Sequence, residues 1–143
     1  TEVSGISGVG VTPYGKGKGI CMPWLVGSFY FNEGFDNTLH FMQDVLHDLC
    51  GIPEVAPDLH PSVELVLCQK EGTLLVQLVN GSGVFANSYF EPIPMQNVTL
   101  RFPGLAGKQA HTLNGGTVTV QDDGTALELT LNRLEAYEAI VIS

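Results

Sequence analysis

Two histidines and an aspartate fall at i, i+4 and i+7 in His40, Asp44 and His47, a spacing that stacks side chains along one face of a helix. Imidazole with carboxylate suits zinc or a similar ion, so the trio is a candidate metal site. The plainer reading is a solvated helix face. A second candidate is aromatic: Phe85, Tyr89 and Phe90, with Asn87 beside them, crowd the stretch 81–96, where rings would offer sugar faces a surface for stacking. They would equally fold over the open end of a β-domain. Burial of a large apolar side chain is worth roughly 1.5–3 kcal/mol, which favours that second arrangement.

Other pairings offer less. Cys50 or Cys68 with His47 or His60 would give a thiol and its base, but the cysteines sit in apolar runs and no C-x-x-C accompanies them. Three cysteines, an odd number, are expected as buried, reduced thiols, which points to a reducing, cytoplasmic setting. Glu135 and Glu138 lie three residues apart on a strand, hence on opposite faces, and read as surface charges that cannot form a glycosidase pair. Gly10-x4-Gly15-Lys16 matches a phosphate loop except at Gly17, where a hydroxyl is needed, and no helix follows before Pro23. No cofactor is implied. Fifteen acidic against six basic residues give a net charge of −9, which repels nucleic acid and anionic membranes.

The elements that must carry these groups divide into two kinds. Residues 9–12 and 18–22 read as a hairpin through a glycine-rich turn that feeds a buried strand at Ile20 to Met22. Leu25 to Phe31 reads as a strand or an irregular segment. Asp36 to Cys50 is a helix, with Asp36 as N-cap, Gly51 as the glycine beyond its end, and Leu39, Met42, Val45, Leu46 and Leu49 on the packing face. Three prolines between Ile52 and Pro61 read as a semi-rigid linker, in which Glu54 and Asp58 are solvated charges.

After Pro61 the apolar period becomes two. Segments at 62–69, 73–80, 98–102, 108–113, 117–121, 125–131 and 136–142 alternate, separated by turn residues such as Asn114-Gly115-Gly116 and Asp122-Asp123-Gly124, which read as hairpins. The expected fold is mainly β: an antiparallel sandwich of about seven strands, preceded by a β-hairpin and one α-helix. The expected divisions are 1–52, a linker at 53–61, and 62–143.

Tyr14-Gly15-Lys16-Gly17-Lys18, the strand after it, Pro23-Trp24 and Gly27 resemble the end of the glutamine-amidotransferase-like, trimerisation-type α/β domain of multidomain bacterial glycoside hydrolases of the β-galactosidase kind. Ser62-Val63-Glu64, Leu74 to Asn80, Pro92-Ile93-Pro94, Asn97 to Leu100 and Leu134 to Ile142 resemble the terminal β-sandwich of the same enzymes. The resemblance implies a truncated α/β domain ahead of the sandwich, a start at Thr1 that reads as a cut, and catalytic acids on an upstream barrel. The chain would then be a non-catalytic accessory scaffold whose partners are the upstream domains and further copies in a homo-oligomer. The alternative is a carbohydrate-binding module.

Overall fold

Gly15 stands at φ +56°, and this left-handed residue closes the first hairpin in the computed structural model, which describes residues 8–143. Strands β1 (Gly10–Tyr14) and β2 (Gly17–Cys21) pair antiparallel with Tyr14 opposite Gly17. The strand expected to be buried is largely solvated: Ile20 and Met22 are half-buried and Cys21 is exposed. Alternating glycines leave β2 too little apolar surface to require cover. The sequence from Val3 to Thr12, where Val and Ile separated by Gly and Ser make a weak strand pattern, lies partly outside the described residues.

The run from Leu25, expected as strand or irregular, forms helix α1 (Val26–Glu33), ended by Gly34 at φ +65° with its N–H donated to the Tyr30 carbonyl at 2.8 Å. Only Val26 of its residues is buried, so no helical apolar period marks the sequence. Ring contacts stand in for such a stripe, with Phe29 and Phe35 centroids 5.6 Å apart and Trp24 and Phe41 5.3 Å apart.

Helix α2 (Asp36–Asp44) follows, with Phe35 at the cap position. Asp36, expected as the cap, lies inside the first turn, where its charge complements the helix dipole. The last turn, Val45–Leu49, widens into a π-helix, and Cys50 donates its N–H to the Val45 carbonyl. Gly51 ends it at φ +70°, as its place in the sequence indicated. The widened turn alters the packing face: Val45 is buried, whereas Leu46 is turned out to solvent.

These elements belong to the first of two compact units, Thr1–Pro53; the second is Glu54–Ser143. The stretch expected as a linker is held to the second unit. Val55, Ala56 and Leu59 pack on its core, and Arg101 donates its backbone N–H to the Val55 carbonyl at 2.6 Å.

The second unit is an antiparallel β-sandwich. One sheet has the order β3-β4-β11-β8, from Val63–Lys70, Thr73–Asn80, Tyr137–Ile142 and Ala110–Thr112. The other has the order β7-β10-β9, from Met95–Pro103, Ala126–Leu134 and Val118–Asp122. A small hairpin, β5 (Val84–Phe85) with β6 (Ser88–Tyr89), rises from the loop after β4. Inward residues of both sheets, among them Val76, Leu78, Ile140, Leu100, Leu129 and Leu131, form one core with no exposed surface. Alternation along each strand supplies that core, as period two requires.

In this unit hairpins close at Glu71-Gly72 (φ +51° and +81°) and, as expected, at Asp122 to Gly124. Asn114-Gly115-Gly116 is a different feature: β8 pairs with β11 and β9 with β10, so this turn carries the chain from one sheet to the other. Asn80, 2% exposed, ties a second crossing; its amide donates to the Ile93 and Glu135 carbonyls and accepts from the Ser82 N–H.

At the β9–β10 turn, Asp123 accepts bonds from the Thr125 hydroxyl, from the Thr125 and Ala126 N–H groups, and from Arg101 at 2.6 Å. The Thr125 hydroxyl first, then the Arg101 guanidinium, hold its carboxyl well below the usual 3.8, and Arg101 is raised mainly by its bond to Asp123. With the folded value depressed, this contribution to stability is complete above the ordinary carboxylate value and is lost as pH falls below it towards the folded one. Asp123→Asn is therefore expected to lower the urea midpoint at neutral pH and to flatten its decline on acidification, read from midpoints taken down to about pH 2.

Candidate functional site

Glu138 lies on the inner face of β11 and is 3% exposed, contrary to its expected place at the surface. A buried carboxylate is tolerated when its oxygens are fully bonded. Here Oε1 accepts the N–H groups of Asn114 (2.8 Å) and Ala139 (2.9 Å), and Oε2 accepts that of Gly116 (2.8 Å). The turn between the sheets is wrapped around the carboxylate, and a Cβ at Gly116 would run into Oε2. Glycine is required there by space, not by φ.

Above this carboxylate opens a polar hollow of about 270 Å³, bordered by the 114–117 turn, Asn132, Arg133, Glu135 and Tyr137. Glu135 and Glu138 thus border one cavity, against the expectation that they face apart. Glu135 sits in the connection between β10 and β11, outside either strand, so strand periodicity does not govern it. Their bonding gives them different tasks. Glu135 Oε1 accepts from Arg133 Nε, Tyr137 Oη donates to Gln77 Oε1 at 3.1 Å, and Asn114 donates its side-chain amide to the Tyr137 carbonyl. Glu138 holds backbone, and Glu135 holds an arginine. The arrangement fixes a corner and offers hydrogen-bonding groups at its rim.

The aromatic candidates stand out from the same unit. Phe85 is 76% exposed, Tyr89 69% and Phe90 61%, with Asn87 also exposed, so the rings do not fold over the end of the sandwich. The β5–β6 hairpin prevents this: Val84 pairs with Tyr89, Phe85 with Ser88, and Phe90 donates its N–H to the Gly83 carbonyl at 2.8 Å. Gly83 is buried with the Phe90 carbonyl against it, where no Cβ fits.

The proposed metal ligands take local partners. His40 Nδ1 lies 3.7 Å from Asp36 Oδ2, His47 Nδ1 lies 2.7 Å from the Ile52 carbonyl, and Asp44 is exposed. Among the described residues no three metal-ligating side chains come together. The π-turn beginning at Val45 breaks the ideal spacing that placed His47 over Asp44. All three cysteines are free and exposed, which corrects the expectation of buried thiols: Cys21 and Cys50 end solvated elements, and Cys68 lies on an end strand. His60 Nδ1 bonds the Ser62 hydroxyl at 2.8 Å, and Lys18 of the glycine-rich turn donates Nζ to the Leu49 carbonyl at 2.8 Å, closing the helix end. Among the described residues no helix is long and apolar enough to cross a membrane.

Together these features define a β-sandwich domain with a helix-and-hairpin unit ahead of it. No family model and no curated protein matches the chain. Among solved structures the chain is similar to part of the α-L-fucosidase isoenzyme 2 from Paenibacillus thiaminolyticus, with a TM-score of 0.67 and 18% identity, over 87% of this chain and 20% of that one. At that identity the likeness is one of fold, and the chain spans 20% of the enzyme's length.

Glu138→Ala is expected to strand three backbone N–H groups at the corner and cost about 2–4 kcal/mol, a fall in Tm of about 10 °C or more. Circular dichroism melts check it, and the loss at Glu135→Ala, at the rim, should be far smaller.

Proposed function

We propose that this chain is a non-catalytic accessory region of a glycoside hydrolase, a β-sandwich that braces an upstream catalytic domain or its oligomer. Two independent lines support the reading. The motifs around Tyr14 to Gly27 and Leu134 to Ile142 resemble the C-terminal region of β-galactosidase-like hydrolases, and the fold is like a fifth of a fucosidase. The sugar differs between the two, and the shared class is glycoside hydrolysis. The observation that carries the non-catalytic part is the bonding of Glu135 and Glu138. A retaining or inverting mechanism needs two carboxyls poised about 5–9.5 Å apart across a sugar, one free to give up a proton. Glu138 has its carboxylate wrapped in backbone N–H groups instead.

A second reading is favoured by one observation, the exposure of Phe85, Tyr89 and Phe90 on a hairpin held up by its own backbone bonds. Rings presented in that way suit stacking against a pyranose face. The module reading and the scaffold reading are compatible on one domain.

The 143-residue chain is expected to turn over no aryl fucoside or galactoside, and reading the gene on the 5′ side of the Thr1 codon should give a barrel with a carboxylate at two of its strand ends. Turnover by the chain alone would end the accessory reading. For the second reading, affinity electrophoresis in galactan, arabinan and xylan gels should show retardation that Phe85→Ala with Tyr89→Ala removes; free migration in every gel would reject it.

A further inference from the structure

Strand β3 ends its sheet, and among the described residues no strand pairs with its outer edge. The opposite end strand, β8, has three residues, and one edge of the other sheet is occupied at β7, where Arg101 bonds Val55. β3 has eight residues, pairs with β4 in unbroken register from Val63 to Lys70, and contains no proline. Natural edges of that length are normally blunted by a bulge, a proline or a central charge. In V-E-L-V-L-C-Q-K the charges are confined to the two ends, at Glu64 and Lys70.

The free hydrogen-bonding groups of β3 are identified by the pairing with β4. Gly81 donates its N–H to the Ser62 carbonyl, so in the same register Glu64, Val66, Cys68 and Lys70 bond towards β4. The N–H and C=O groups of Leu65, Leu67 and Gln69 therefore point outward from the edge. Leu67 lies on the core-facing side, opposite the buried Val76, yet it is 44% exposed because nothing in the sheet lies beyond it.

We propose that β3 pairs antiparallel with β3 of a second copy about a two-fold axis through Leu67, joining two sheets into one. A two-fold axis perpendicular to the sheet keeps the core-facing sides together, and residues facing each other must then share the same side. With Leu67 opposite Leu67, Leu65 exchanges backbone bonds with Gln69 of the other copy in both directions, and the two Leu67 side chains cover each other. In that register Glu64 stands opposite Lys70 of the other copy, twice, at positions where side chains approach closely. Shifting the axis to Leu65, Val66 or Cys68 destroys that match. Self-complementary charge is the reason for naming a second copy as the occupant. The inference holds whichever sugar a parent enzyme acts on, and it stands if the accessory reading fails.

Sedimentation of the full chain as a concentration series tests it, in a background with Cys21→Ser and Cys50→Ser to remove the other exposed thiols. A monomer–dimer equilibrium is expected. Glu64→Lys alone and Lys70→Glu alone place like charges opposite each other and should weaken the dimer about tenfold or more, while the Glu64→Lys, Lys70→Glu double variant should restore it. Val66→Cys should form a covalent dimer with Cys68 of the other copy on mild oxidation. Cys68 by itself lies diagonal to its mate, beyond the roughly 7 Å reach of a disulfide, and should not. A monomer at every concentration, single reversals that leave the dimer intact, or a double variant that stays dissociated would each overturn the proposal.

Discussion

A single buried carboxylate holds the sandwich to its topology. The chain must leave the sheet containing β8 and enter the sheet containing β9, and the turn that makes this crossing directs the backbone N–H groups of Asn114 and Gly116 inward from a partly exposed loop. Glu138 supplies the acceptors. It does so from β11, a strand far away in sequence, so the corner cannot close until β11 is in place. Asn80 does similar work for the loop after β4 and the connection before β11, binding carbonyls at Ile93 and Glu135. Polar groups are buried here because they join segments that no apolar contact could orient.

The first unit is held by other means. Its hairpin is solvated and its helices bury few side chains; the contacts among its described residues include two ring pairs, the Trp24 indole donating to the Gly8 carbonyl, and Lys18 closing the carbonyl end of the π-turn. The phosphate-loop match of Gly10-x4-Gly15-Lys16 fails at Gly17, and the next lysine, Lys18, serves the helix end instead. A charge of the same sign suits either use, since exposed helix carbonyls and anions both attract it.

Local chemistry was legible from the sequence wherever a residue acts on its own neighbours. Gly51 and Gly72 sit at positive φ where the chain turns, and the alternation from Val63 to Ile142 marks every long strand of the sandwich. What could not be read depends on partners distant in sequence. Asn114-Gly115-Gly116 has the letters of a hairpin turn, and only the position of Glu138 makes it a corner. Glu138 itself is the type of residue that is rarely buried, so its type argued for the wrong side of the sheet. Helix α1 carries rings without a stripe, so its period was silent, and the π-turn upset a ligand spacing that presumed an ideal helix. The cysteines and the aromatic hairpin were misplaced for a common reason: apolar neighbours in sequence are not apolar neighbours in space.

Strand β11 lies between β4 and β8, an interior strand of its sheet contributed by residues 137–142. During synthesis the ribosome releases β3, β4 and β8 long before it, so the nascent sheet is split down its middle until nearly the whole domain has emerged. Closure of the sheet thereby waits on residues 137–142, and until they leave the tunnel the gap between β4 and β8 is an open seam for chaperones to guard.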